Sequence, residues 1–99
     1  MSFKQVTVLA TIKAKKGLEN HVAEELLSLI GPTRAEEGCL NYDLHRSSSD
    51  PTLFMFYENW VSKEDLDKHL AMPYLQAFLA KAPDLLDVPA EIVLWEKIA

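Results

Sequence analysis

The sequence predicts one α+β domain in which helices cover one face of a four-stranded antiparallel sheet. Its 99 residues are enough for a single hydrophobic core and too few for two. Four segments have the composition and spacing of strands, and the regions after the first and the third of them have apolar residues at helical spacing. Right-handed crossovers turn this β-α-β-β-α-β order into the ferredoxin-like arrangement.

A change of apolar period separates the first strand from the first helix. Residues 5–14 alternate between an apolar and a mixed face, as a half-buried strand does. The spacing then becomes helical, through Leu18, Val22, Leu26, Leu29 and Thr33. We expect Gly31-Pro32 to interrupt this helix and a second short turn to begin at Pro32. Gly38 is the expected C-terminal cap.

The middle of the chain predicts a hairpin of two strands, residues 39–47 and 53–61. Ser47-Ser48-Ser49-Asp50-Pro51 between them is a cluster of turn-forming residues. Ser62 then has the position of a helix N-cap, with Asp65 at the third helical position as in a capping box.

The last third of the chain predicts two helices and the final strand. The first helix is expected to end near Met72-Pro73, because proline does not continue a helix. A short helix over residues 74–82, a loop over 83–89 and a strand over 90–98 are expected to follow.

The sheet face away from the helices is predicted to be apolar, although an exposed sheet face is normally polar at every second position. Met55, Tyr57, Val93 and Trp95 would form a patch larger than soluble monomers usually expose. We expect a second copy to cover this patch about a two-fold axis, so that the sheets of a homodimer close a barrel. The alternative is a monomer in which tilted side chains and the C-terminal tail cover the same face.

Composition and charge narrow the classes of partner. The net charge of −5 argues against a broad basic surface for nucleic acid. No apolar segment approaches the roughly 20 residues that cross a bilayer, and the N-terminus lacks the apolar core of a signal peptide, so we expect a cytoplasmic protein. Cys39 is the only cysteine, which excludes an internal disulfide; its thiol is either catalytic or a small buried hydrophobe.

Four segments carry sequence motifs that span most of the chain. They are Val-Thr-Val-Leu-Ala-Thr-Ile-Lys-Ala-Lys-Lys-Gly at 6–17, Pro-Thr-Arg-Ala-Glu-Glu-Gly-Cys-Leu-Asn-Tyr-Asp-Leu-His-Arg at 32–46, Phe-Tyr-Glu-Asn-Trp at 56–60 and His-Leu-Ala-Met-Pro-Tyr at 69–74. Together they resemble the antibiotic biosynthesis monooxygenase family. The resemblance implies a dimeric α+β barrel with a pocket between the sheet and the helices of each subunit. Activities in the family include cofactor-free oxygenation of phenols and quinols, haem degradation, and isomerisation of a phosphorylated sugar derivative.

Residue chemistry and the resemblance select six candidate site residues. They are, as catalytic residues, His69, Glu58 and Trp60 and, as substrate-binding residues, Tyr42, Tyr74 and Phe56. An imidazole with an ordinary pKa of about 6.5 suits proton transfer, and burial would raise the pKa of a strand carboxylate towards neutrality. The alternatives are a solvent-facing helical histidine, a tryptophan that caps the core, and a structural carboxylate bonded to a helix backbone or to a cation.

Departures from the family pattern shape the expected chemistry. Tyr74 stands where the family has a second helical histidine, and the first strand lacks the asparagine of haem-degrading relatives, which disfavours haem degradation. His45, on the strand face opposite Tyr42, and His21, on the polar side of the first helix, are expected to lie outside the site. The sequence has no Gly-rich nucleotide loop and no metal-ligand spacing, so we expect no cofactor, no metal and a colourless protein.

The expected function is oxidation of a small electron-rich aromatic, such as a quinol, by molecular oxygen. A substrate phenolate can itself donate an electron, so the protein need only remove a proton, orient the ring and exclude water. His69 would be the base, Trp60 the wall against the ring and Glu58 the orienting group. The alternatives are a proton-transfer isomerase in the same pocket and a non-catalytic dimer that binds a hydrophobic ligand.

Overall fold

The computed structural model describes residues 4–99 as one sheet with helices packed on one of its faces. The strands are β1 (Val6–Lys13), β2 (Cys39–Arg46), β3 (Leu53–Trp60) and β4 (Glu91–Trp95). The helices are α1 (Glu19–Leu27), α2 (Ile30–Arg34), α3 (Lys63–Leu70) and α4 (Pro73–Leu85). The strand order is β2-β3-β1-β4 with each neighbouring pair antiparallel, which confirms the predicted ferredoxin-like fold. None of the helices in this part of the chain is long and apolar enough to cross a membrane.

The strand register decides which side chains face the helices. Alternate residues of a strand share a face, so Phe54, Phe56, Glu58 and Trp60 of β3 all point towards the helices. Each of the four is at most 4% exposed. Glu58 lies opposite Val8 of β1. A carboxylate is therefore held in the apolar layer between the sheet and the helices.

The first helical region has the predicted helical spacing of apolar residues, but the break between its two helices comes earlier than predicted. α1 ends before Ser28, and Gly31-Pro32 falls inside α2 instead of separating the two helices. Pro32 lies in the first turn of α2, where backbone N–H groups have no intrahelical partner, so its missing N–H costs little there.

Gly38 is not the predicted helix cap, because α2 already ends at Arg34. Its small size instead permits a close approach between the start of β2 and the start of α3. A Cβ atom on Gly38 would lie 2.2 Å from Cγ of Asp65. The carbonyl of Gly38 also accepts a hydrogen bond of 2.9 Å from the backbone N–H of Val61, which fixes the chain at this point.

α4 runs past its predicted end and includes Pro83, which the sequence placed in a loop. A proline inside a helix costs about 3 kcal/mol, because it cannot donate to the preceding turn. Leu85 and Leu86 are buried beyond it, and burial of two leucines contributes roughly 3–6 kcal/mol. The helical path is therefore kept until these side chains reach the core.

The open face of the sheet carries the predicted apolar patch. Tyr57, Val93 and Trp95 are exposed there by 42%, 37% and 55%, and Met55 is half-buried on the same face. Leu9 lies between Tyr57 and Val93 in the register and completes the set. We call these five residues the open-face patch. β4 ends at Trp95, earlier than predicted, because its pairing with β1 ends there.

Candidate active site

A small cavity lies between the sheet and helices α1, α3 and α4. Its volume is about 40 Å³, which has room for a few water molecules. Four of the six predicted site residues line it, namely Tyr42, Phe56, Glu58 and His69. The rest of its wall is apolar, and no lysine or arginine among residues 4–99 contributes to it. The cavity thus combines three ionisable side chains, Tyr42, Glu58 and His69, with an apolar surface.

His69 is placed in the cavity by α3, whose first turn is capped as predicted. Oγ of Ser62 accepts a hydrogen bond from the backbone N–H of Asp65 at 3.2 Å and donates to the Asp65 carboxylate at 2.8 Å. Leu66 and His69, three residues apart, share the helix face that packs on the sheet. His69 is only 2% exposed, so the solvent-facing alternative is wrong.

The partner of His69 is Glu36, which is not among the six candidate residues predicted from the sequence. Nδ1 of His69 lies 2.7 Å from Oε2 of Glu36, and the hydroxyl of Tyr74 donates to the same oxygen. The side chain of Glu36 is 8% exposed, whereas the neighbouring Glu37 is exposed. The one signal in the sequence for a role of Glu36 was its position in segment 32–46, which resembles the family. Without that resemblance, consecutive acidic residues before a glycine normally indicate a solvated loop.

The side chain of Glu58 is hydrogen-bonded to that of Trp60. Oε1 of Glu58 accepts a buried hydrogen bond of 2.9 Å from Nε1 of the indole, which is neither of the two structural roles considered from the sequence. Burial raises the pKa of Glu58 to about 7; the indole bond opposes this shift, and the charge of Glu36 adds to it. The carboxyl group is thus partly protonated near neutral pH, as a general acid or base should be.

Aromatic rings enclose His69 on two sides. The Trp60 ring lies against the imidazole with centroids 4.6 Å apart, and Tyr42 meets it edge-on at 5.4 Å. Tyr42 in turn stacks on Phe56 at 4.4 Å. Burial holds the pKa of Tyr42 well above its usual range, so its hydroxyl remains a hydrogen-bond donor.

Trp60 and Tyr74 are not among the residues that line the cavity. Trp60 lies behind His69 and links it to Glu58, while Tyr74 contacts Glu36. Burial and the bond to Glu36 raise the pKa of Tyr74 to about 12, which keeps it protonated. Direct contact of either residue with a substrate stays a prediction. In the structure, Trp60 holds His69 and Glu58, and Tyr74 holds the carboxylate that is bonded to His69.

The other candidate groups lie away from this site. His21 is exposed, as predicted, and His45 is exposed on the sheet face opposite Tyr42. Cys39 is partly buried against the core, and burial raises the pKa of its thiol to about 11, which favours the hydrophobic over the catalytic interpretation. Within residues 4–99, no group of three or more His, Cys, Asp or Glu side chains is arranged to hold a metal ion.

Ionisation of Glu58 should weaken the fold as the pH rises. The carboxyl group keeps its proton up to about pH 7 in the folded chain but loses it near its ordinary pKa of 4.5 in the unfolded chain. Between these values the folded state binds more protons, so the free energy of unfolding falls as the pH rises. The stabilisation is complete below the lower value and lost above the higher one, and it amounts to roughly 3 kcal/mol.

The variant Glu58→Gln removes this titration, and its amide oxygen can still accept the Trp60 bond. We expect urea unfolding to show a smaller loss of stability between about pH 5 and about pH 8 for Glu58→Gln than for the wild type. Glu64→Gln, exposed on α3, is the matched control and should keep the wild-type slope. Equal slopes for wild type and Glu58→Gln would show that Glu58 does not titrate in this range.

One family model and several known proteins match this chain over most of its length. The family model described as antibiotic biosynthesis monooxygenase matches residues 5–81. The protein sll1783 of Synechocystis is 33% identical over 92% of this chain, which spans 62% of that relative's length. “Putative monooxygenase YcnE” of Bacillus subtilis is 31% identical over 92% of this chain and 96% of its own. The crystal structure of PA3566 from Pseudomonas aeruginosa superposes with a TM-score of 0.93 at 32% identity, over 100% of this chain and 99% of that one. This chain therefore belongs to the antibiotic biosynthesis monooxygenase family.

Proposed function

We propose that this protein is a cofactor-independent monooxygenase that oxidises a small, neutral, electron-rich aromatic such as a quinol. Membership of the family and the name of YcnE support a monooxygenase-like function. The observation that carries the proposal is the buried imidazole of His69, which lines an apolar cavity while its Nδ1 is bound by Glu36. A base in such a place can remove a phenolic proton from a substrate that is shielded from water.

The reaction balances without a further reductant. A quinol and O₂ give a hydroxyquinone and water, so one oxygen atom enters the ring and the other is reduced by electrons from the substrate. The first step breaks a phenolic O–H bond, forms an N–H bond on His69 and leaves the electron pair on the substrate oxygen. The phenolate then transfers an electron to O₂. The role of the protein is to generate and shield that phenolate.

The charge of the cavity separates this reaction from isomerisation of a phosphorylated metabolite. Apart from His69, the ionisable groups on its wall are Glu58 and the protonated Tyr42, and no lysine or arginine from residues 4–99 is present. A phosphate group placed there would face a carboxylate without a compensating cation, which is unfavourable in an apolar site. A neutral phenol carries no charge that the carboxylate would repel, and it needs no compensating cation.

A ring-sized ligand requires more space than the cavity now offers, and a neighbouring groove supplies it. This groove, of about 470 Å³, runs between the end of α4 and β4. It shares Leu79, Ala90 and Ile92 with the wall of the cavity. We propose that the substrate enters at these three residues, because they border both spaces.

We also propose that the protein acts as a homodimer joined through the open-face patch. The helices cover the other face of the sheet, so this patch is the large apolar surface that a second copy would bury. Because the patch lies on the reverse side of the sheet from His69, the two cavities of the dimer would remain separate.

Oxygen uptake with a panel of quinols tests the proposed reaction. We expect one O₂ consumed per quinol and, with oxygen-18 gas, one labelled atom in the organic product. Protein inactivated by heat controls for spontaneous oxidation. Uptake no faster than this control across the panel would overturn the monooxygenase proposal. Solvent-proton exchange into a ligand without oxygen would support the isomerase instead.

A further inference from the structure

We propose that Glu36 is the positioning residue of this site and holds His69 as the Nδ1–H tautomer, so that Nε2 is free to take the substrate proton. The inference rests on the proposed function for the identity of that proton, but the tautomer itself is a property of the resting protein. It assigns a role to Glu36, a buried carboxylate that does not itself line the cavity.

The contacts of the imidazole distinguish its two nitrogens. Nδ1 lies 2.7 Å from Oε2 of Glu36, whereas Nε2 has no hydrogen-bond partner among residues 4–99. His69 lines the cavity and Glu36 does not, so the bonded nitrogen is the one turned away from the ligand space. Of the two nitrogens, Nε2 is therefore the one available to a substrate hydroxyl.

The chemistry of Glu36 decides where the hydrogen atom sits. An ionised carboxylate only accepts hydrogen bonds, so a neutral imidazole bonded to it must carry its hydrogen on Nδ1. The hydroxyl of Tyr74 donates to the same Oε2 atom, so this oxygen already acts as a hydrogen-bond acceptor in its other contact. Nε2 then keeps a free lone pair, which a general base needs.

Burial makes this pair more effective when His69 takes up a proton. The side chains of His69 and Glu36 are only 3% and 8% exposed, so water weakens their interaction little. When an N–H bond forms on Nε2, the imidazolium charge lies against a carboxylate and is neutralised within the site. A buried carboxylate has the same two functions, orientation and charge stabilisation, in a Ser-His-Asp triad.

Nitrogen-15 NMR of the histidine side chains tests the tautomer directly. In the wild type at a pH where the ring is neutral, we expect His69 to carry its hydrogen on Nδ1 and to show a bare Nε2. Glu36→Leu removes the acceptor at similar volume, so the Nε2–H fraction should rise. Glu37→Leu, at the exposed neighbouring position, is the matched control and should leave the tautomer unchanged.

Kinetics with an active quinol give a second measurement. We expect Glu36→Leu to lower kcat about 10²-fold or more with little change in KM, because it weakens the base and leaves the substrate contacts intact. Tyr74→Phe, which keeps the carboxylate, should retain the wild-type tautomer and lose less activity.

The outcomes separate this inference from the proposed function. An Nε2–H tautomer in the wild type would overturn the role of Glu36 whatever the turnover, even if Glu36→Leu did not fold. An unchanged tautomer in folded Glu36→Leu would overturn it as well. If the Nδ1–H tautomer is found and no quinol is oxidised, the positioning by Glu36 is supported, and the monooxygenase proposal alone fails.

Discussion

Replacing His69 by alanine is expected to lower quinol turnover by about 10²–10⁴-fold, the usual contribution of a general base. The ring lines the cavity, and Glu36 holds its Nδ1 atom. Alanine offers no proton acceptor, so the substrate would depend on its own ionisation or on Glu58. Oxygen uptake with a saturating quinol measures the effect, since a missing base should lower kcat.

Stability must be measured alongside this activity. His69 is 2% exposed and packs against Trp60, so its removal should cost roughly 1–3 kcal/mol, more than a helix-surface substitution. His69→Gln is therefore a useful companion, because it fills more of the space and its amide cannot act as a base. Both variants should be assayed well below their melting temperatures.

His21→Ala is the control for this experiment. His21 is exposed on α1, and its loss should leave both stability and turnover close to those of the wild type. If His69→Ala and His21→Ala turned over quinol at the same rate as the wild type, His69 would have no part in the reaction. Glu58, with a pKa of about 7, would then be the remaining base in the cavity.

The fold could be predicted from sequence because its signals are local. Strand alternation, the Ser62 cap and the proline at the start of α4 each act within a few residues. The errors occurred where tertiary packing overrode a local preference. Burial of Leu85 and Leu86 carries α4 through Pro83, and Gly38 serves the approach of Asp65 to β2 instead of ending a helix.

The candidate site divides in the same way. Glu58 and Trp60 are two residues apart on one strand face, so the sequence alone places them together, although not the indole bond between them. Glu36 was missed because its contact with His69 spans 33 residues of the chain. No periodic pattern distinguishes Glu36 from the exposed Glu37. The difference in burial between them arises only when the segment after α2 meets His69 of α3 in the folded chain.

A glutamate at Met55 is expected to separate the proposed homodimer into monomers. Met55 lies within the open-face patch, so each carboxylate introduced there would be buried without a partner. A two-fold interface uses the same surface of both copies, so a single substitution places two such charges in the contact. A cost of a few kcal/mol raises the dimer Kd by about 10²-fold or more. Sedimentation at micromolar concentration measures the change.

Trp95→Glu and Ser48→Glu make this test decisive. Met55 is half-buried within a single chain, so a charge there also acts on the fold of one copy, whereas Trp95 is 55% exposed in one copy. The fold of a single copy should therefore tolerate Trp95→Glu, so dissociation of the Trp95→Glu dimer would be attributable to the lost interface. Ser48→Glu adds the same charge at an exposed turn of the β2–β3 hairpin and should stay dimeric. A monomeric wild type, or a Trp95→Glu protein as dimeric as Ser48→Glu, would remove the open-face patch as the subunit interface and leave its apolar residues to another partner.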